Sequence, residues 1–374
     1  MAETRKRQEG IVRVPADGLE HFMAEALHAA GVPEADARVC AEVLIAADLR
    51  GIDSHGINRL KPIYIDRIRQ GTQTAVTRIE VVRDGPTATV IDGHNGMGLV
   101  IAKAAMAITL EKAKKCGMAM TAVRNSNHYG IAGYYGLMAA EREMIGITGT
   151  NARPSIAPTF GVENMLGTNP LTFVMPSDEP FPFFLDCATS VTQRGKIELY
   201  AREGKPTPAG LVIDRDGKSL TDSEAILEGL TTGAAALLPI GGAGEETGGY
   251  KGYGYATVVE ILSAALQGGA FLKALLGLED GKKVPYRLGH FFMAIDVAAF
   301  TEPGAFKKTT GDILRALRAS AKAPGAERIY TAGEKEHLVM LDRSRHGVPL
   351  NREMQDEIKG LIREFGLTGF DFPF

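Results

Sequence analysis

Tryptophan is absent from this 374-residue sequence, and cysteine is nearly so at three residues. Cys40, Cys116 and Cys187 lie far apart, and no C-x-x-C pair occurs. An odd, sparse set argues against a disulfide framework and fits a reducing compartment. An excess of charge of one sign is missing too. Lys and Arg number 42 against 45 Asp and Glu, for a net charge of −3, so no basic field marks the chain as a nucleic-acid binder. The first ten residues, MAETRKRQEG, are charged and carry no apolar core of a secretory signal. The longest apolar stretch, residues 254–277, is broken by Glu260, Gln267 and Lys273. It reads as a buried helix or helix pair rather than a membrane span. These absences leave a cytoplasmic globular protein as the expectation. A hydrophobic fraction of 45% excludes disorder. At ~100–200 residues per domain, the length allows roughly two or three domains.

Several catalytic fingerprints are also missing. Gly-x-Gly occurs at Gly96/Gly98, Gly242/Gly244 and Gly252/Gly254, but none is followed by the third glycine of a Rossmann phosphate loop. Gly217-Lys218-Ser219 lacks the upstream glycine of a P-loop. Neither a G-x-S-x-G elbow nor an H-E-x-x-H helix is found, and the eight histidines are scattered, so no metal site is expected.

What is present begins with periodicity. Apolar residues recur at helical spacing over 20–48, with a break at Gly31-Val32-Pro33. Ile57, Leu60, Tyr64 and Ile68 share one stripe and predict an amphipathic helix over 54–69, kinked at Pro62. Short strands follow at 78–82 and 87–91 around the Asp84-Gly85-Pro86 turn. An Ala-rich helix over 99–115 stops at Gly117. Strands are expected at 118–123, 145–150, 171–175, 181–186 and 290–295, with a helix at about 129–142. A hairpin is expected at 211–214 with Asp216-Gly217 as its turn, and a glycine-rich lead-in at 241–254 precedes an apolar helix. Helical periodicity returns at 309–320 and 351–365. The ends are helical and the middle mixed, which suggests a helical domain built from both termini around an inserted sheet domain.

Four segments carry candidate chemistry. Ser54-His55-Gly56-x-x-Arg59 opens the kinked helix, with Asp53 or Ser54 as N-cap. His55 and Arg59 are four apart and so neighbours on a helix. A guanidinium beside an imidazole disfavours the imidazolium and keeps the ring as a neutral base or labile acid. A guanidinium also grips a carboxylate bidentately. An enzyme acting on a 2-hydroxy or 2-oxo acid needs this pair, although a capped, solvated helix face has the same pattern. Asn125-Ser126-Asn127-His128-Tyr129-Gly130 joins a strand to a helix and offers His128 as a second acid/base, or as a hydrogen-bonded turn histidine. Gly167-Thr168-Asn169-Pro170 and Asp186-Cys187-Ala188-Thr189-Ser190 are small polar loops at strand ends. There Asp186 either orients a histidine or caps the next helix. In Gly248-Gly249-Tyr250-Lys251-Gly252-Tyr253-Gly254, Lys251 offers a point charge to a phosphate, with a flexible linker as the alternative.

Together with Leu166, the Arg194-Gly195-Lys196 triplet and Gly289-His290-Phe291-Phe292-Met293-Ala294-Ile295-Asp296, these segments run in one order along the chain. In this the sequence resembles the malate/L-lactate dehydrogenase family. That family also contains sulfolactate and ureidoglycolate dehydrogenases, diketogulonate reductase and piperideine-2-carboxylate reductase. The resemblance implies an α/β fold: a non-Rossmann cofactor domain with a mixed, largely antiparallel sheet over 76–305, and a helical domain from 1–75 and 306–374. It implies NAD or NADP as cofactor, and a homodimer with the active site near the subunit boundary. Ser54, His55 and Arg59 would line the substrate site, with His128 against substrate and nicotinamide. Gly130, Thr168, Asn169 and Asp186–Ser190, Ala188 and Thr189 included, would border the cofactor. Lys251, Gly252, Gly333, Glu334 and Lys335 would sit along its far half. Within that frame His55 is expected to move the proton, with His128 second, Ser54 in the relay, Asp186 supporting, and Arg59 and Thr168 on the substrate. A cyclic-imine reductase, a cofactor-free hydrolase or lyase using His55 and His128, and an inert binding protein are the competing expectations.

Overall fold

The computed structural model describes residues 10–374, so the charged start of the chain lies, apart from Gly10, outside the described residues. β1 (Val12–Val14) leads into α1 (Ala16–Ala29) and α2 (Glu34–Leu49). The two helices are divided at Gly31, whose φ of +97° only glycine adopts cheaply, and at Pro33, which directly precedes α2.

The run after α2 differs from the expected kinked helix. Asp53–His55 and Ile57–Arg59 form two separate 3₁₀ turns, Leu60–Ile65 a wide π turn, and only α3 (Asp66–Arg69) is α-helical. Gly56, at φ −93° and ψ −137°, breaks the first turn from the second. The Ile57 N–H then donates to the Asp48 carboxylate at 2.8 Å rather than to an upstream carbonyl. Pro62 has no N–H to give the helical ladder. Wide turns of this kind are often found at functional sites.

β2 (Glu80–Asp84) and β3 (Ala88–Asp92) pair around the predicted turn, and α4 (Gly98–Cys116) ends at Gly117, φ +85°. Next come β4 (Met118–Ser126), α5 (Ala132–Ala140), β5 (Met144–Thr150), β6 (Leu171–Met175) and β7 (Phe183–Cys187). A small lobe follows, made of α6 (Arg194–Arg202), β8 (Val212–Asp214), α7 (Ser223–Thr232) and β9 (Ala235–Leu237). Its expected hairpin closes through Leu220 N–H to Val212 O at 2.9 Å, while β8 also pairs with β9. α8 (Gly249–Ala264), β10 (Leu278–Glu279), β11 (Lys282–Lys283) and β12 (Leu288–Asp296) complete the middle of the chain. α9 (Pro303–Ala319), α10 (Glu334–His346), β13 (Val348–Leu350) and α11 (Arg352–Phe365) close it. α10 has no counterpart in the sequence reading. Its first turn carries Glu334 and Glu336 and its last turn Arg343, Arg345 and His346, so charge matched to the helix ends stands in for a strong apolar stripe.

The central sheet has seven strands in the order β2-β3-β4-β12-β5-β6-β7. Only β3 and β4 run parallel, joined by α4 as crossover; every other pair is antiparallel. The expected mixed, largely antiparallel sheet is therefore present. α4 and α5 cover one face, where Ile101, Leu110 and Tyr135 meet Val123 and Phe292. α8 packs against β4, β5 and β12. A separate cluster joins both ends of the chain, with Leu19, Phe22, Leu44 and Tyr64 packed together with Val348, Ile358 and Leu361. α9 is tied to the loop after β6 by Arg315 and Arg318, which pair with Asp178 and Glu179. The β4–α5 junction faces the 53–65 turns, and this meeting place builds the site.

Candidate active site

His55 and His128 are brought together from segments 73 residues apart by sequence number, with ring centroids 5.6 Å apart and planes within 20° of parallel. Ser54 Oγ lies 2.8 Å from His55 Nδ1. Tyr64 Oη lies 2.7 Å from His128 Nδ1, which also accepts the Gly130 N–H at 3.3 Å. Because Nδ1 accepts a backbone N–H, the proton of neutral His128 is assigned to Nε2. Burial first, and then the Arg59 guanidinium, lower the pKa of His55 to about 4. Burial, then His55, Arg67 and Arg59, hold His128 well below the ordinary imidazole range. Both rings are therefore neutral near pH 7 and able to exchange a proton rather than carry a fixed charge.

The residues that hold this pair were invisible as such in the sequence. Asp48 is buried and accepts the Ile57 N–H, and burial pushes its carboxyl up to about 8. A Cβ on Gly56 would come within 1.9 Å of Asp48 Oδ1, so only glycine lets the turn settle on that carboxyl. Arg343 of α10 donates to the Asp48 carbonyl at 2.5 Å and pairs with Asp53. Behind His128, Tyr129 stacks on His290 at 4.5 Å, and His290 Nδ1 lies 2.7 Å from Thr150 Oγ1 at the end of β5. A Tyr in an apolar stripe and an Asp inside a helix give no local sign of these roles, since their partners are distant in sequence.

A cavity of about 440 Å³ opens onto His55, while His128, stacked on that ring, is not among the lining residues. Of the predicted residues, Ser54, His55, Gly130, Thr168, Asp186, Ala188, Gly333 and Lys335 line it. A second cavity of about 710 Å³ shares Phe184, Gly333 and Glu336 with the first. Gly333, at φ +90°, stands at the N-terminus of α10, where a Cβ would lie 2.7 Å from Phe184 Cβ. Open helix amides, Lys335 and a wall without side chain suit a phosphate-bearing ligand. Ser190 Oγ, three residues past β7, is buried without a partner among the described residues. This donor set fits a dinucleotide.

Other predicted residues sit elsewhere. Asp186 bonds neither histidine. Its Oδ2 accepts the Gly133 N–H at 2.7 Å and its Oδ1 the Thr172 hydroxyl at 2.8 Å, so it anchors the first turn of α5 while facing the cavity. The orienting groups for the rings are the neutral hydroxyls of Ser54 and Tyr64 instead. Asn169, at φ +34°, donates to Glu260 at 2.8 Å and accepts the Ala152 N–H at 3.1 Å, and Thr189 donates to the Thr168 and Asn169 carbonyls. Both shape the cavity wall from behind. Glu334 is itself buried and turns away to pair with Arg328 and Arg318 and to accept the Thr331 N–H. Lys251 is exposed beside Tyr250, and Gly252 packs flush on the Ile240 backbone, so neither lines the cavity. Arg59 donates through Nε to the Ser54 carbonyl and acts on His55 without lining the cavity.

Residues 14–359 match the family model described as malate/L-lactate dehydrogenase. The chain is 44% identical over 363 residues to a malate dehydrogenase of Pyrococcus abyssi, covering 97% of this chain and 98% of that one. It is 37% identical over 342 residues to an L-sulfolactate dehydrogenase of Methanocaldococcus jannaschii, covering 91% and 94%. The crystal structure of a malate dehydrogenase from Entamoeba histolytica superposes with a TM-score of 0.93 at 43% identity, covering 97% of this chain and all of that one. The chain belongs to the malate/L-lactate dehydrogenase family, oxidoreductases acting on the CH–OH group of hydroxy acids.

Proposed function

We propose that this protein interconverts a small 2-hydroxy acid and its 2-oxo acid using NAD or NADP. The observation that carries the reading is the neutral, cavity-lining His55, held by Ser54 and stacked on His128. The nicotinamide, when bound, supplies or accepts the hydride. His55 takes the proton from the substrate hydroxyl during oxidation and returns it to the carbonyl oxygen during reduction, a service worth typically ~10²–10⁴-fold. Ser54 Oγ, 2.8 Å from Nδ1, exchanges that proton onward. His128, carrying its proton on Nε2 and fixed by Tyr64, offers a hydrogen bond to the reacting oxygen. Arg59 receives the carboxylate next to the reacting carbon, and Thr168 borders it. Gly130, Asp186 and Ala188 flank the cofactor, with Asn169, Thr189 and Ser190 behind them. Gly333 and Lys335 hold its phosphates.

Lys251, Gly252 and Glu334 belong to this reading only as supports beyond the cavity. We further propose that the chain works in the cytoplasm as a homodimer, with 1–75 and 306–374 forming a helical domain around 76–305. Packing of Leu19 and Phe22 with Ile358 and Leu361 supports the union of the two termini. No helix among the described residues is long and apolar enough to cross a membrane. The test is a panel of oxaloacetate, pyruvate, a cyclic imino acid and the oxo product of ureidoglycolate with NADH and NADPH, alongside cofactor binding by fluorescence quenching and thermal shift. Turnover of a 2-oxo acid with a bound cofactor is the expected outcome. Binding of neither cofactor would overturn the proposal.

A further inference from the structure

α8 lacks a charged face. Its only charges are Lys251 and Glu260, and Glu260 is buried, accepting from Asn169 and from the Leu272 N–H at 2.8 Å each. A helix that is apolar all round belongs in an interior. The inner side of α8 meets that condition against β4, β5 and β12. Its outer side does not. Tyr255, Val258 and Ile261 are 59%, 46% and 54% exposed, and Leu266 and Phe271, just past the helix, extend the same bare ridge.

The sheet beside the ridge is bare as well. In β3 and β4 the inner positions Ile91, Ala119 and Val123 pack under α4 and α5. Alternation sends Ala88, Val90, Met118, Met120 and Ala122 to the opposite face. The parallel register sets Ala88 beside Met120 and Val90 beside Ala122. A sheet face that meets water alternates with polar side chains turned outward, yet all five outer positions here are apolar. Ala88 and Met118 are exposed, and Val90 and Met120 are half-buried. Ala88, Val90, Met120 and Ala122 floor a trough of about 580 Å³, and Leu266 at the end of the ridge lines it too.

We infer that two copies of this chain dock through this face, the α8 ridge of each filling the β3–β4 trough of the other. The inference rests on the homodimer reading and gives it a surface. Ridge and trough adjoin in one chain and meet at Leu266, so a single two-fold operator matches both pairs at once and leaves neither open. The five ridge side chains, each about half exposed, amount to roughly 500 Å² of apolar surface, near the top of the ~300–600 Å² of a monomer's largest patch. The trough carries the total toward the ~800 Å² per partner of a stable dimer. Charge on this face is sparse: Arg83 and Asp84 sit at the trough, with Asp84 already bound by Lys112, and Lys251 stands at the head of the ridge. The chain before Gly10 supplies no apolar cover, since five of its nine residues are charged. Docking bears on the outer side of a helix whose Glu260 holds Asn169 in the wall of the active-site cavity.

The test is sedimentation velocity of the full chain over a dilution series, in the wild type, in I261D on the ridge and in M118D beside the trough. Both side chains are about half exposed in the single chain, so the fold tolerates either change. A carboxylate shut into an apolar contact without a partner should raise the dimer Kd by about 10²–10³-fold. The wild type is expected to sediment as a dimer, and each variant as a monomer with the wild-type far-UV spectrum. V258D and M118K form a second pair that replaces any variant losing that spectrum. A wild-type dimer that survives either the ridge or the trough substitution uses another face, which overturns the inference and leaves the homodimer reading standing. A monomeric wild type overturns both and assigns the face to a different protein. Neither outcome bears on the oxidoreductase reading, which cofactor binding and turnover test separately.

Discussion

His55 and Arg59 make different demands on the reaction, and kinetics separate them. His55 offers its unbonded ring nitrogen to the reacting oxygen, so H55A should lower kcat by about 10²–10⁴ with a small change in KM. Arg59 is assigned to the carboxylate in both ground and transition states, so R59A should act mainly on KM. Near-wild-type values in either variant would remove that residue from its role. The pH dependence follows from the lowered pKa of His55. The neutral ring is the base for oxidation, so kcat/KM for hydroxy-acid oxidation should be flat from pH 6 to 8. It should fall only as the pH drops toward about 4, and a pH-rate profile with a break near 6.5 would contradict it. The two histidines were legible because Ser54-His55-Gly56-x-x-Arg59 and Asn127-His128-Tyr129 are local patterns. His55 and Arg59 are nonetheless not neighbours on an α-helix: two 3₁₀ turns and the Ser54 carbonyl bring them together. Asp48, Tyr64 and Arg343 were not legible, because each acts on a partner that only the folded chain supplies.

At the scale of elements, the 53–65 turns are where the site is made and where it is easiest to break. They are held by three grips: Asp48 on the Ile57 N–H, Arg343 on Asp53 and on the Asp48 carbonyl, and Tyr64 on His128. G56A would place a methyl 1.9 Å from Asp48 Oδ1, so the turn must move away from α2. The cost should be about 2–4 kcal/mol in denaturant unfolding, with loss of activity. R343M leaves the Asp53 carboxylate without its partner at the α10 contact and should lower Tm and raise the substrate KM together. Retention of wild-type Tm and KM in R343M would mean that α10 does not position these turns. Strands were read from alternation with small errors at their ends, because the sheet keeps a period of two wherever one face is packed. The wide turn at 60–65 could not be read that way. An apolar stripe spaced at 57, 60, 64 and 68 serves an α-helix and a wider turn almost equally, and the choice is made by Gly56, Pro62 and a carboxyl nine residues upstream.

For the molecule as a whole, the buried titratable groups pull stability in opposite directions with pH. His55, His128 and His290 are all held neutral by burial, with His55 at about 4 and His290 at about 3. Unfolded histidine takes up its proton near ~6.5. Between that pH and about 4 the unfolded chain therefore binds more protons, and the fold loses stability as the pH falls, by ~1.4 kcal/mol per pH unit for each unmatched proton. Asp48 works in the opposite sense. Burial keeps it protonated in the fold up to about 8, while in the unfolded chain it is ionised above ~3.9. The folded state thus holds an extra proton across that range, and each step upward in pH favours unfolding. Asp186 and Glu260, also raised by burial, push the same way. Above pH 6.5 the unfolded histidines have largely lost their protons, while Asp48 keeps its own in the fold up to about 8, so Tm should decline from pH 6.5 toward 8. D48N keeps an acceptor for the Ile57 N–H but has no proton to lose, and its Tm should stay level from pH 6.5 to 8 while its acid limb remains. If wild type and D48N share one slope over that interval, Asp48 is not the buried proton that the fold carries at neutral pH.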